Sequence, residues 1–321
     1  MRAMNNPIRT DLAIENAEMF QERENLQGVS IHEGVGKKSG IRITRVRVEN
    51  ETGAKNLGKA VGDYITLEVP ALDAPDVSYH REITTEIAAQ LKGLVPDIEN
   101  KKILVAGVGN REMAPDALGP MVIDHLFITR HLLREYGKNS EITRGMGDIS
   151  ALAPGVMAQT GIETREILLG TVKETGPDLL IVIDALAARN VRRLNKTIQI
   201  TNTGIAPGAG VGNRRFGIDK ASMGIPVIAI GVPTVIDAAS IVNDTVGNML
   251  TMLDETKNRL SERIREGVAS FDAQERYQLM RELMAPEMMN MFVTPKNIDE
   301  IIVQMSYTLS ESINSLCHSM S

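Results

Sequence analysis

Lys102-Ile-Leu-Val-Ala-Gly-Val-Gly-Asn-Arg-Glu-Met-Ala-Pro-Asp-Ala-Leu-Gly119 decides the fold class of this chain, together with a second stretch, Asp178-Leu-Leu-Ile-Val-Ile-Asp-Ala-Leu-Ala-Ala-Arg189. Each opens on an apolar run, Ile103–Ala106 and Leu179–Ile183, that shows no polar alternation. Such runs read as strands buried on both faces, the pattern of a sheet covered by helices on each side. An aspartate follows each run, Asp116 in the first stretch and Asp184 in the second, and each is expected where a strand ends. Ligand crevices of open α/β sheets lie beyond the carboxyl ends of their strands, so two strands can deliver these carboxylates to one place. Paired carboxylates can activate a water or share one proton.

Composition narrows the class. With 321 residues the chain can form one large domain or two small ones. It has no Trp and few other aromatics, so its core must be built from aliphatic residues and from some of its 17 Met. The net charge is −6 with both signs interspersed, which argues against a nucleic-acid-binding surface. A single cysteine, Cys317, excludes an internal disulfide and suits a reducing compartment. The first residues lack an apolar signal core, and no run approaches membrane-spanning length, so a cytoplasmic location with no membrane partner is expected.

Strand signals alternate with helix signals along the chain. Residues 1–40 read as a polar extension with one short helix, Leu12–Leu26. Strands are expected at Ile41–Val48, Tyr64–Val69, 102–107, 179–184, Thr197–Thr201 and Ile225–Gly231. Helices are expected at His80–Leu94, from about Ala117 to Tyr136, near 163–175, as a short segment carrying Arg189, Arg192 and Arg193, and at Val235–Leu253. A Gly-broken stretch covers 145–162, a Gly-rich loop covers Gly204–Gly217, and 254–321 reads as mainly helical. The resulting expectation is a three-layer α/β fold: a mixed sheet, helices on both faces, and a helical C-terminal segment.

Other motifs carry less. Gly107-Val-Gly109 follows a strand, but the third glycine of a dinucleotide fingerprint falls on Glu112. Gly208–Gly212, with Arg214 and Arg215, could hold a phosphate or small molecule; a surface loop is the plainer reading. His125 and His131 are six apart on one expected helix, which is not the spacing of a helical metal pair. Cys317 and His318 lie where fraying is usual. The Met-rich stretch 280–291 reads as core or interface filler. Asp116 has its own plain reading, an N-cap for a helix starting at Ala117.

Several segments carry a family resemblance across nearly the whole chain: Thr10-Asp-Leu-Ala13, Gly107-Val-Gly-Asn110, Pro115-Asp-Ala-Leu-Gly-Pro120, Pro154-Gly-Val-Met157, Ile183-Asp-Ala-Leu-Ala-Ala-Arg189, Gly224-Ile-Pro-Val-Ile-Ala-Ile-Gly231 and Val293-Thr-Pro-Lys296. They resemble the germination protease of spore-forming bacteria. The stretch after Leu253 and before Phe271 looks shorter than in Bacillus members. The resemblance implies an atypical aspartic endopeptidase that degrades small acid-soluble spore proteins during germination, with Asp116 and Asp184 as its catalytic pair. It also implies a homotetramer in the forespore and spore core, made as a zymogen that removes its own N-terminal propeptide. An acidic, drying spore core is the implied trigger. The fold is implied to be similar to that of hydrogenase-maturation endopeptidases, whose Gly-x-Gly-Asn loop precedes a nickel-binding carboxylate by the spacing of Asn110 to Asp116. Family substrates are cut after the acid of a Thr-Glu-Ile/Phe-Ala type sequence. Thr10-Asp-Leu-Ala13 resembles it, which places self-cleavage between Asp11 and Leu12, with 1–11 as propeptide and 12–321 as one peptidase domain. A second match, Thr85-Glu-Ile-Ala88, falls in an expected helix and reads as coincidence. No cofactor or metal is expected. The alternatives are a metal-dependent peptidase of the maturation type and a non-catalytic binding protein built on Gly208–Gly212.

Overall fold

The computed structural model describes residues 10–21, 26–36, 39–69, 77–138, 140–208, 216–255, 282, 288 and 291–318. Among them, nine strands form one mixed sheet. They are β1 (Val29–Val35), β2 (Arg42–Val48), β3 (Gly62–Glu68), β4 (Lys102–Gly107), β5 (Asp148–Leu152), β6 (Leu179–Ala188), β7 (Thr197–Thr201), β8 (Val227–Asp237) and β9 (Phe292–Val293). The spatial order is β1-β2-β3-β7-β8-β6-β4-β5, with β9 paired to β8. One half, β8-β6-β4-β5, is parallel, and the other, β1-β2-β3-β7, joins it antiparallel through β7 and β8.

The helices are α1 (Ala13–Gln21), α2 (Glu51–Leu57), α3 (Val77–Leu94), α4 (Leu118–His125), α5 (Arg130–Tyr136), α6 (Met157–Thr160), α7 (Thr164–Thr175), α8 (Lys220–Met223), α9 (Ala238–Glu255) and α10 (Ile298–Cys317). The two-residue period of β6 divides them between the faces. Leu179, Ile181 and Ile183 point into the main core with Ile83, Ile87 and Leu91 of α3, Leu118 of α4 and Ile302, Met305 and Leu309 of α10. Leu180 and Val182 point the other way, against Leu168 and Val172 of α7 and Met223 of α8. Burial on both faces explains why these runs carry no alternation. The three-layer architecture is therefore the expected one.

Several expectations need correction. β1 lies in what reads as a polar extension, because its outer residues His32, Glu33 and Gly34 are exposed and leave no alternation. Helix α2 was not expected; it is started by Asn50, whose side chain accepts from Gly53 N, and ended by Gly58 in the left-handed region. The single helix expected to Tyr136 is two, α4 and α5. The chain leaves helical bonding at 126–129, where Phe127 N–H donates to Asn314 Oδ1 and Thr129 N–H to Ile149 O. That break also places His125 and His131 on different helices. β5 fills part of the Gly-broken stretch. The short helix expected around Arg189 is the end of β6 followed by a 3₁₀ turn, Val191–Arg193. β8 runs on to Asp237, so its helix begins at Ala238.

The C-terminal part is not all helical, since Phe292–Val293 pairs with β8. Cys317 and His318 are not frayed. Both are buried, and the His318 ring accepts from Gly147 N and meets Phe127 O. Residues 209–212, Arg214 and Arg215 of the glycine-rich loop lie outside the described residues, as does most of 280–291; Met288 and Met291 are exposed.

Candidate active site

The sheet has a topological switch beside β4. The chain leaves β4 for β5 on one side and returns through α7 to β6 on the other. The crevice beyond the carboxyl ends of β4 and β6 is where a ligand would enter such a fold. Asp116 and Asp184 both line a cavity there of about 430 Å³.

Neither aspartate sits at a strand's end. Asp116 closes a 3₁₀ turn, Ala114–Asp116, beyond β4. It does not cap α4, whose N-cap is Ala117 without a side-chain bond. Instead Asp116 Oδ2 accepts from Asn110 N at 2.7 Å, and Thr234 Oγ1 donates to Pro115 O at 2.6 Å, so the turn is fixed from two sides. Gly109, at φ +122°, lets the turn close: a Cβ there would lie 2.0 Å from Asp116 O. Asp184 lies within β6, which continues four residues past it by pairing Ala185–Ala188 with β8. It belongs to the Leu180 and Val182 series on a two-residue period and is 4% exposed. Its Oδ1 accepts from Ala185 N. Burial pushes the Asp184 carboxyl well above the ordinary carboxylate range; the nearby Asp116 and Asp11 charges add to this, and the Ala185 N–H opposes it.

Asp11 belongs to the same place. It lines the 430 Å³ cavity with the two aspartates, and also a neighbouring cavity of about 310 Å³ with Asp184, Lys59 and Gln199. The segment is held like a short added strand: Asp11 N–H donates to Ala187 O at 3.0 Å, and Ala187 N–H donates to Asp11 Oδ2 at 2.9 Å. Ala13 N–H donates to Gln199 Oε1 at 2.8 Å. Leu12 is fully buried against Leu186, a contribution of about 1.5–3 kcal/mol. Glu15 is also fully buried. Its carboxyl accepts from Thr10 Oγ1, Arg189 N and Asn190 N, while burial raises its pKa. The reading of Thr10–Ala13 as part of a polar extension is thus corrected, because Thr10 and Glu15 turn inward on the chain at the end of β6. Thr85–Ala88 lies inside α3 with Ile87 in the core.

No motif announced Lys59 and Gln199, which line the neighbouring cavity, or Glu15, which ties Thr10 to the chain just beyond β6. Gln199 alone left a trace, as an amide between two isoleucines in a strand buried along its whole length. Among the described residues, no group of three or more His, Cys, Asp or Glu is placed to hold a metal ion. No helix among them is long and apolar enough to cross a membrane.

Comparison with known proteins finds a family model and near full-length relatives. The sequence model of the family described as Germination protease matches residues 9–272. A germination protease of Caldanaerobacter subterraneus subsp. tengcongensis is 45% identical over 307 residues, covering 96% of this chain and 93% of its own. One from Clostridium tetani is 42% identical over 313 residues, covering 96% and 94%. One from Bacillus cytotoxicus is 37% identical over an alignment of 348 positions, covering 97% and 94%. That alignment is longer than this chain of 321 residues, so the Bacillus sequence carries insertions relative to it. Among solved structures, a NiFe hydrogenase maturation protease, HycI from Thermococcus kodakarensis KOD1, matches at 18% identity and a TM-score of 0.28, covering 45% of this chain and 80% of its own. With a family model matching residues 9–272 and near full-length relatives, the chain belongs to the germination protease family and is a protease of spore germination.

Proposed function

We propose that this protease is an aspartic-type endopeptidase that degrades small acid-soluble spore proteins during germination. It is made as a zymogen, acts as a homotetramer in the forespore and spore core, and cuts its own chain between Asp11 and Leu12. The observation that carries this reading is the convergence of Asp116, Asp184 and Asp11 on one cavity. The segment that resembles the family's cleavage sequence is already seated beside the two candidate catalytic carboxyls.

Their unequal surroundings divide the work. Asp184 is buried, and burial favours its protonated form. Asp116 is less buried, and its Oδ2 accepts the Asn110 N–H. Asp116 is then the general base, and protonated Asp184 the acid. Water held between them attacks the carbonyl carbon of the residue before the scissile bond and passes a proton to Asp116. The tetrahedral intermediate collapses as its C–N bond breaks and the leaving nitrogen takes the proton of Asp184, after which the proton gained by Asp116 passes to Asp184 and restores the pair. The products are a carboxylate and a new amino terminus.

The test is incubation of the purified, processed protein with a small acid-soluble spore protein. Cleavage after the acid of its Thr-Glu-Ile/Phe-Ala sequence is expected, and folded Asp184→Asn should leave the substrate intact. A spore protein untouched by the wild type, or cut at the wild-type rate by Asp184→Asn, overturns the reading.

A further inference from the structure

We infer that Lys59 and Gln199 form a carbonyl-binding clamp that stabilises the oxyanion at the Asp11–Leu12 bond. The inference rests on the self-cleavage reading above and assigns two further catalytic residues to that site. Asp11 O is the carbonyl oxygen of the bond in question. It accepts from Lys59 Nζ at 2.9 Å and from Gln199 Nε2 at 3.2 Å. Lys59 Nζ also reaches Thr10 O at 3.4 Å. An ordinary buried carbonyl of a strand-like segment takes one backbone partner. This one takes a side-chain ammonium and a side-chain amide, in a cavity that Asp184 also lines.

The surroundings fix both donors. Gln199 sits in the centre of β7, and its Oε1 is occupied by Ala13 N–H, which turns its Nε2 toward Asp11 O. Lys59 follows Gly58, the residue that ends α2, so the helix end aims its stem. Its residue is half-exposed, but its amino end is enclosed. Burial lowers its pKa, while Asp11 and Glu15 oppose that shift. A donor pair held in place before reaction has little reorganisation to undergo as negative charge develops on the oxygen, and low local polarity strengthens its effect. In the reaction, the attacking water's oxygen bonds to the Asp11 carbonyl carbon, and the C=O electron pair moves onto the oxygen facing Lys59 and Gln199. The water's proton passes to Asp116; as the oxyanion collapses, the C–N bond breaks and Leu12 nitrogen takes a proton from Asp184.

Two measurements on the full chain test the clamp. The first is the rate of self-processing at mildly acidic pH, followed by N-terminal sequencing. Lys59→Met should slow it on the order of 100-fold, as loss of one oxyanion donor does elsewhere. Lys59→Arg, which restores a cationic donor, should recover part of the rate. The second is the Asp11 carbonyl ¹³C resonance in an Asp184→Asn background, where the bond is expected to stay intact. With ¹³C-carbonyl Asp and ¹⁵N-Leu, only Asp11-Leu12 and Asp178-Leu179 give correlated signals. Lys59→Met should move the first upfield and leave the second, which reports the folded sheet, in place. If Lys59→Met does not fold, Lys59→Gln is read by the same two measurements. A folded variant lacking the lysine that processes at the wild-type rate, or leaves the Asp11 resonance unmoved, overturns the clamp. Processing that persists in Asp184→Asn, or starts the wild-type product at a residue other than Leu12, overturns the parent reading instead.

Discussion

Gly109→Ala should disable the protease while leaving it folded. A Cβ built at Gly109 lies 2.0 Å from Asp116 O and 3.1 Å from Asp116 Oδ1, and real Cβ contacts do not fall below 3.0 Å. The Asp116 turn must therefore retreat by about 1 Å, since the atom met is backbone rather than a flexible side-chain tip. A displacement of that size at a reacting group costs about 100-fold in rate. The substitution also strains the backbone, because φ +122° lies outside the wells an alanine adopts, at about 1–3 kcal/mol. Gly176→Ala is the matched control: its φ is +61°, no atom lies within 4 Å of the added carbon, and it sits behind α7. It should lose about 1–2 kcal/mol of stability with unchanged turnover. The assay is kcat/KM on a peptide carrying a Thr-Glu-Ile-Ala sequence, alongside thermal unfolding. Folded Gly109→Ala with wild-type kcat/KM would show that the position of Asp116 does not matter to the reaction.

Three more outcomes are expected. Because burial raises the Asp184 pKa in the folded state, between the ordinary value of 3.8 and that raised value the folded protein holds a proton that the unfolded chain has released. The stability is present below the lower value and lost as pH rises through the upper one. Asp184→Asn should therefore gain in Tm relative to the wild type as pH rises, and a difference that shrinks with pH contradicts the assignment. Chelators should leave activity unchanged; loss in chelator restored by one divalent ion would replace the water-activating pair with a metal mechanism. Self-processing should yield Leu12 as first residue at a rate independent of protein concentration, since Asp11 is already seated beside the site in its own chain; a rate that rises with concentration means cutting between molecules.

Three of the four parallel strands, β4, β6 and β8, were legible because Leu179–Ile183 and its counterparts are buried on both faces and leave uninterrupted apolar runs, whereas β5 is only partly buried and lies in a Gly-broken stretch. What followed those runs was less legible. Ala185-Leu-Ala-Ala188 has the propensity of a helix, yet forms strand because β8 lies beside it to pair with. Asp184 therefore stands within a strand that sequence reading ends at it. The break between α4 and α5 depends on Asn314 and Ile149, both distant in sequence, so no local signal marks it. The two aspartates stood out as carboxylates following apolar runs. Lys59 follows an unannounced helix, and its partner carbonyl comes from a segment 48 positions away, so only the folded chain brings them together.

The central claim is that Asp116 and Asp184 act as one unit on one water. A double-mutant cycle on kcat/KM, with each single Asn variant and the double variant verified as folded, measures it directly. Two residues that form a unit lose nearly everything when either is removed. Each single variant should lose several orders of magnitude, and the double variant little more than the worse single one. Independent losses that multiply in the double variant, or a single variant that keeps the wild-type rate, would contradict it.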